Sequence, residues 1–239
     1  MKYSLSLVVT AYNEEELLES FIQKSMDDLG KVSDDYEIVL VNDGSKDNTI
    51  EIAKKLVGRY PNLVIVDLKE NIGTGPNYTA GLAVASKEIF FWNTVDGKFD
   101  TRDLPLLLPY LDDYDVVSGY RSDLKGNTFY QNILTVCNLY LIRMLFGLKL
   151  KAYQTIQFHR MEFIRRITLE NNSSFVCPEL LIKANAAGKT IKEVEITFHG
   201  RRAGKATGGR LSFVMRSLID VFKFWLLWRV LGRMKVYTK

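Results

Sequence analysis

Apolar residues follow two alternating rhythms along the first hundred positions. Residues 4–10 form a short apolar run that reads as a strand. Leu17, Leu18, Phe21, Ile22 and Met26 then recur at helical spacing, with Asn13 as the expected N-cap and Glu14, Glu15 and Glu16 in the first turn. The alternation repeats. A strand is expected over 36–42, a helix from about 49 to about 60, and a strand over 63–68. A helix then runs to about Ala85, and Ile89 to Trp92 reads as a fully buried strand. Such βαβ alternation implies an α/β fold, with a mostly parallel sheet flanked by helices.

Each expected strand ends in a polar cluster. The clusters are Asn13 and Glu14, then Asp43-Gly44-Ser45, then Gly73-Thr74-Gly75, then Asp96-Gly97-Lys98. In an open α/β sheet, ligands bind outside the carboxyl ends of the strands. A carboxylate there can hold a divalent cation, and the cation a phosphate. Taken singly, Asp96-Gly97 is a turn and Glu14 a helix-start charge. Taken in series, the four clusters read as a nucleotide site. The glycine turn is neither Gly-x-Gly-x-x-Gly nor a loop ending Gly-Lys-Ser/Thr, which argues against a Rossmann dehydrogenase and a P-loop NTPase.

Composition narrows the classes further. The 239 residues are 47% hydrophobic and 25% charged, as expected of a globular protein with a sizeable core. His159 and His199 are the only histidines, which leaves little support for a histidine zinc site or a Ser-His-Asp triad. Cys137 and Cys177 lie among apolar neighbours and read as buried thiols. Residues 1–3 lead straight into the first strand, so no signal peptide is expected. No run approaches the ~18 apolar residues of a spanning helix.

Net charge is +4, and it is concentrated late in the chain. From Arg201 onward, Asp220 is the only acid among many Arg and Lys residues. Residues 129–148 and 211–231 are amphipathic, the second carrying Trp225 and Trp228 beside Lys223 and Arg229. Basic residues with tryptophans suit a helix lying on an anionic membrane, or docking to a membrane partner protein or another copy of the chain. The expected division is a catalytic domain over 1–209 and a basic amphipathic helical tail over 210–239. A nucleic-acid partner has no motif to support it.

Several segments together carry a family resemblance. Val8-Val9-Thr10-Ala11-Tyr12-Asn13-Glu14-Glu15, Val41-Asn42-Asp43-Gly44-Ser45 and Asn71-Ile72-Gly73 resemble family 2 glycosyltransferases of the GT-A fold. The likeness is greatest to dolichyl- and polyprenyl-phosphate sugar synthases. It continues through Val117-Ser118-Gly119-Tyr120-Arg121, through Phe175 to Glu179, and into Arg201-Arg202-Ala203-Gly204-Lys205. It covers roughly residues 5–205. There are departures: Thr94-Val95-Asp96 stands where Asp-x-Asp is usual, Lys98 replaces a glutamine, Ala152 an aspartate and Glu195 a proline.

The resemblance implies an inverting transferase that takes a nucleotide-diphosphate sugar as donor. Ala11, Tyr12, Glu14, Asp43, Gly73 and Val95 would line the nucleotide-sugar site. Asp96 would bind Mg²⁺ or Mn²⁺ bridging the diphosphate. Lys98, Arg121, Arg202 and Lys205 would meet phosphates. The implied acceptor is a polyprenyl phosphate, reached from the cytoplasmic face of a membrane without a spanning helix. Such an acceptor needs no general base, because its oxygen is already anionic. A sugar-hydroxyl acceptor would need one, and Glu179 is then the candidate. The missing acid at Thr94 also leaves open a non-catalytic subunit that binds nucleotide sugar or lipid.

Overall fold

The computed structural model of the chain describes residues 3–95, 99–122, 129–196, 211–230 and 232, leaving aside the side chains of 129–131, 133 and 211–217. The expected alternation is present. In order come β1 (Leu5–Ala11), α1 (Leu18–Val32), β2 (Tyr36–Asp43), α2 (Thr49–Val57), β3 (Leu63–Leu68), α3 (Thr74–Val84) and β4 (Ile89–Thr94). After them come α4 (Leu104–Leu107), β5 (Val116–Tyr120), α5 (Phe129–Phe146), β6 (Gln157–Arg160), α6 (Met161–Ile164), α7 (Val176–Ala186), β7 (Ile191–Glu195) and α8 (Leu211–Trp225).

The described strands form one sheet in the order β3-β2-β1-β4-β6-β5-β7. β1 pairs in parallel with β2 and β4, β2 with β3, and β5 with β7. β6 runs antiparallel between β4 and β5. Like β5 and β7, it lies beyond the four strands that the hydrophobic rhythm announces. Its four residues, Gln-Phe-His-Arg, are too short and too polar to read as a core strand.

Period-two alternation sends neighbouring side chains to opposite faces. Leu5, Leu7 and Val9 of β1 pack with Leu18, Ile22 and Leu29 of α1 and Phe91 of β4. Val8, Val39, Val41 and Phe90 face the other way, into a core with Tyr78 of α3, Phe175, and Leu180 of α7. Helix α3 lies very close to the sheet: a Cβ on Gly81 would sit 2.3 Å from Val8 Cγ1. Val221 and Phe224 of α8 are buried in this second core, so the tail helix is packed onto the domain rather than set apart.

Two expectations need correction. Helix α1 starts at Leu18, and its N-cap position is Leu17, not Asn13. Asn13 sits at φ 54 and serves the neighbouring loop instead. Cys177 is buried as expected, but Cys137 is exposed. Helix α5 turns Ile142 and Phe146 inward and leaves Val136, Tyr140 and Met144 outside, and Cys137 lies beside Val136 on that outer side.

His159 sits wholly buried at the centre of β6. Gln157 Nε2 donates to Tyr153 O and Cys177 O, so Gln157 Oε1 is left to accept from His159 Nε2 at 3.0 Å. His159 Nδ1 has no partner. Burial pushes this imidazole down to about 3. The unfolded chain therefore takes up the proton first, near pH 6.5, and stability falls as pH drops from there toward 3. At pH 5 this one group accounts for about 2 kcal/mol of lost stability. Urea unfolding at pH 7 and pH 5 should show that loss in the wild type and its absence in His159→Asn. An identical pH dependence in both proteins would refute the assignment.

Candidate functional site

Register places the strand ends side by side. Thr10 lies opposite Thr94 and Ala11 opposite Asn42. Val95 N donates to Thr10 O at 3.3 Å, which seats buried Val95 against the end of β1. Ala11 is buried there, while the ring of Tyr12 is 42% exposed at the rim. Such an exposed aromatic face is what a planar base can stack on.

The loops above these ends are laced to one another. Asn13 takes a left-handed backbone, φ 54, a region asparagine enters more readily than most residues. Its N–H donates to Ser45 Oγ at 3.0 Å, and its Oδ1 accepts from Lys46 N at 2.8 Å. Glu14 N donates to Thr49 Oγ1 at 2.8 Å. One Glu15 oxygen accepts from both Asn48 N, at 3.0 Å, and Asn48 Nδ2, at 2.8 Å. Asp43 is buried, and its Oδ1 accepts from Ile72 N at 2.8 Å. Gly44 follows at φ 66, where a Cβ would lie 2.6 Å from the Glu70 carbonyl carbon. Only glycine lets the second polar cluster close on the third. The structure thus brings Ala11, Tyr12, Glu14, Asp43, Gly73 and Val95 to one edge of the sheet.

Asp96, Lys98, Arg202 and Lys205 lie outside the described residues. The exit from the Asp96 loop is described. Asn93 Nδ2 holds Phe99 O at 3.1 Å. Asp100 is buried and bonds Lys24 and Arg102, and Lys24 also reaches Asp28 at 2.8 Å. Burial raises the Asp100 carboxyl, but the bonds from Arg102 and Lys24 outweigh it and hold the group well below the usual carboxylate range. The cluster staples this loop to α1. Among the described residues, no group of three or more His, Cys, Asp or Glu gathers as a metal cage. Arg121 stands just past the end of β5, partly exposed.

Glu179 is enclosed by other groups of the chain. It is wholly buried in the first turn of α7, 2.7 Å from Lys183 Nζ, which is equally buried. Its Oε1 accepts from Glu170 N at 3.0 Å. Its Oε2 accepts from Asn171 N at 3.1 Å and Asn171 Nδ2 at 2.7 Å. Both oxygens are committed, and neither meets solvent. What they hold is a strap, residues 170–172, laid across the start of α3. Gly75 N donates to Asn172 O at 3.3 Å, and a Cβ on Gly75 would lie 2.2 Å from Asn171 O. The close approach that this glycine permits is to the chain's own backbone. A Cβ on Gly73, at φ 90, would stand 3.5 Å from Asn172 O.

The sequence reading passed over Lys183. Its signal was weak: a lysine four residues after a glutamate on an otherwise apolar helix. Cys177, two residues before Glu179, has its thiol pushed up to about 12 by burial, so it is no thiolate nucleophile at neutral pH.

Comparison with known proteins is consistent across this region. The model for "Glycosyl transferase family 2" matches residues 6–178. The dodecaprenyl-phosphate galacturonate synthase of Rhizobium johnstonii is 28% identical over 96% of this chain and 68% of its own length. The undecaprenyl-phosphate 4-deoxy-4-formamido-L-arabinose transferase of Serratia proteamaculans is 25% identical over 84% of this chain, which spans 61% of that protein. Glucosyl-3-phosphoglycerate synthase of Mycobacterium tuberculosis, solved with Mn²⁺, UDP and glucosyl-3-phosphoglycerate, superposes with a TM-score of 0.70 at 20% identity. That superposition covers 94% of this chain and 80% of the neighbour.

Truncating one partner of the buried pair strands the other as an uncompensated charge. Lys183→Met should therefore cost about 3–5 kcal/mol of stability. The double variant Glu179→Leu/Lys183→Met removes both charges, and its cost comes from the polar groups left without a partner: Glu170 N, Asn171 N, Asn171 Nδ2 and Thr168 O. Urea denaturation is expected to show the double variant less destabilised than the sum of the two singles. Strict additivity would mean that the two groups do not interact.

Proposed function

We infer the reaction from one premise: the chain belongs to glycosyl transferase family 2, and it is a glycosyltransferase with the GT-A fold. We propose that it moves a sugar from a nucleoside diphosphate sugar to a polyprenyl phosphate at a membrane surface. The observation that carries this reading is the state of Glu179. The carboxylate that a hydroxyl acceptor would call on is sealed in an ion pair and spent on backbone N–H groups. A phosphate oxygen arrives already anionic and needs no base.

The names of the two relatives point the same way, since each acts on a polyprenyl phosphate. The solved neighbour carries phosphoglycerate chemistry instead, so the lipid acceptor rests on the site and the relatives together. In the reaction, a phosphate oxygen of the lipid attacks the anomeric carbon. The bond from that carbon to the donor's diphosphate breaks, the nucleoside diphosphate leaves, and the configuration inverts. Tyr12 and Asp43 would sit at the base end of the donor, with Ala11, Glu14, Gly73 and Val95 around it. Asp96 would hold a Mg²⁺ or Mn²⁺, since a hard cation can complete its oxygen shell with diphosphate and water around one carboxylate. When bound, that ion would neutralise charge on the leaving diphosphate. Arg121, Lys98, Arg202 and Lys205 would meet phosphate oxygens of donor and acceptor.

The membrane side of the proposal rests on two stripes. Val136, Tyr140 and Met144 recur every four residues along α5 and are exposed. Ile219, Phe222, Leu226 and Val230, three or four residues apart, are exposed along α8 and the π-helical turn Leu226–Val230. Lys223 and Arg229 are exposed among them. Among the described residues, no helix is long and apolar enough to cross a membrane. Attachment would be interfacial, with each Lys or Arg near an anionic surface contributing about 1 kcal/mol.

The test is a screen of UDP- and GDP-sugars with Mn²⁺ and undecaprenyl phosphate in anionic liposomes. Transfer to the lipid is expected, and Asp96→Ala should lower it at least ~10²-fold without changing the fold. The protein should also sediment with the liposomes at low salt and be released by high salt or by Lys223→Glu with Arg229→Glu. Sugar delivered to a soluble hydroxyl instead would overturn the acceptor assignment. Failure to sediment at low salt would overturn the membrane one.

A further inference from the structure

Among the described residues, Lys183 is the only fully buried lysine. Its Nζ bonds Glu179 at 2.7 Å and Thr168 O, and lies 3.9 Å from Glu170. On its remaining side it is covered by two aromatic rings, with centroids 5.7 Å away at Phe224 and 5.9 Å away at Trp228. Those rings stack on each other at 5.7 Å and 18°. Phe224 lies on α8, and Trp228 on the π-helical turn that follows it. The C-terminal helix is therefore the cover that keeps water off this ammonium. A cation over an aromatic face gains more as it is desolvated, and its pairing with Glu179 strengthens in the same low-dielectric setting.

The chain of contacts continues away from the helix. Glu179 holds Glu170 N and Asn171 N. The strap 170–172 then accepts Gly75 N through Asn172 O, at the start of α3. The preceding turn is tied through Ile72 N to Asp43. The first link is an ammonium beneath two rings, and the others are an ion pair and hydrogen bonds joined by short stretches of backbone. The path joins the outer helix, with its exposed apolar stripe, to the edge where the donor would lie.

The geometry points to Lys183 as a positioning residue, sealed by Phe224 and Trp228, that fixes the strap 170–172 so that seating of the C-terminal helix governs donor binding. This rests on the donor site proposed above. It adds a route by which what α8 touches reaches that site. A helix seated on its surface keeps the rings over Lys183 and the strap closed. A helix lifted from it hydrates the ammonium, weakens its grip on Glu179 and loosens the start of α3.

The test uses the full chain and substitutions at Trp228, which is partly exposed and can be trimmed without emptying the core. Trp228→Ala removes a ring over Lys183, and Trp228→Phe keeps one. Hydrogen exchange followed by mass spectrometry reads the strap directly. Peptides covering 71–78 and 168–175 should exchange at least ~10-fold faster in Trp228→Ala, while peptides from β1 and β2 stay as in the wild type. Calorimetric titration with UDP and with GDP, each with Mn²⁺, should show weaker binding by about the same factor. Trp228→Phe should restore both. Exchange over 71–78 that stays at the wild-type rate in Trp228→Ala would overturn the proposal, as would faster exchange everywhere in the sheet. If the wild type binds neither nucleotide, the donor reading fails on its own, and the exchange measurement still decides whether the helix holds the strap.

Discussion

Helix α3 is wedged between the sheet and the strap, and the functional edge depends on how closely it fits. On one side Gly81 lets the helix backbone approach Val8 and Val41; on the other Gly75 lets it meet Asn171 and Asn172. Neither contact tolerates a Cβ without movement of its neighbour. At Gly75 the neighbour is backbone, which has little freedom to give way. The positive end of the helix is consequently closed by the chain's own carbonyl. Anion binding at helix N-termini is common, but here one of those N–H groups is already engaged. Phosphate recognition would fall to Asp96 with its cation and to the Arg and Lys side chains.

Two ion clusters hold loops in place, one against α1 and one beside α3, and they differ in kind. Lys24 keeps about a third of its side-chain surface exposed while bonding Asp28 and Asp100. Solvent screens much of that interaction, so its worth lies in fixing the exit of the Asp96 loop rather than in stability. Glu179 and Lys183 have no exposure at all. A pair of that sort gains little over an apolar pair of the same volume, because desolvation offsets attraction. Its presence is better explained by what it specifies. Glu179 gathers Glu170 N, Asn171 N and Asn171 Nδ2, which no apolar residue could do.

The parallel half of the fold was legible because its signals are local. Apolar runs of six to eight residues, the first three each followed by a helix, announce themselves in a short window. β6 was not legible, because it lasts four residues and owes its place to partners far away in the chain. The first three polar clusters lie at one edge, where topology alone puts them, and Asp96-Gly97-Lys98 lies outside the described residues. What sequence could not reveal was which polar groups face a ligand and which face each other. Asn13, read as a helix cap, caps a neighbouring loop; Glu179, read as a candidate base, holds a strap. In both cases the decisive partner lies in a different loop or on the far side of a turn. Cys137 failed for a simpler reason. Its apolar neighbours sit on a helix whose outer stripe is itself apolar, so neighbours in sequence did not report burial.

That apolar outer stripe and the sealed carboxylate bear on one another. A transferase acting on a hydroxyl must keep a carboxylate accessible beside the reacting sugar and must tune its proton affinity. A transferase acting on a lipid phosphate is relieved of that demand but must come to a bilayer to meet its acceptor. In this chain Glu179 is sealed, and α5 and α8 carry exposed apolar stripes. The same helix that would touch the bilayer also covers the lysine that neutralises that carboxylate. Under the proposed function, the group that neutralises Glu179 would thus be covered by the helix that would meet the acceptor's membrane.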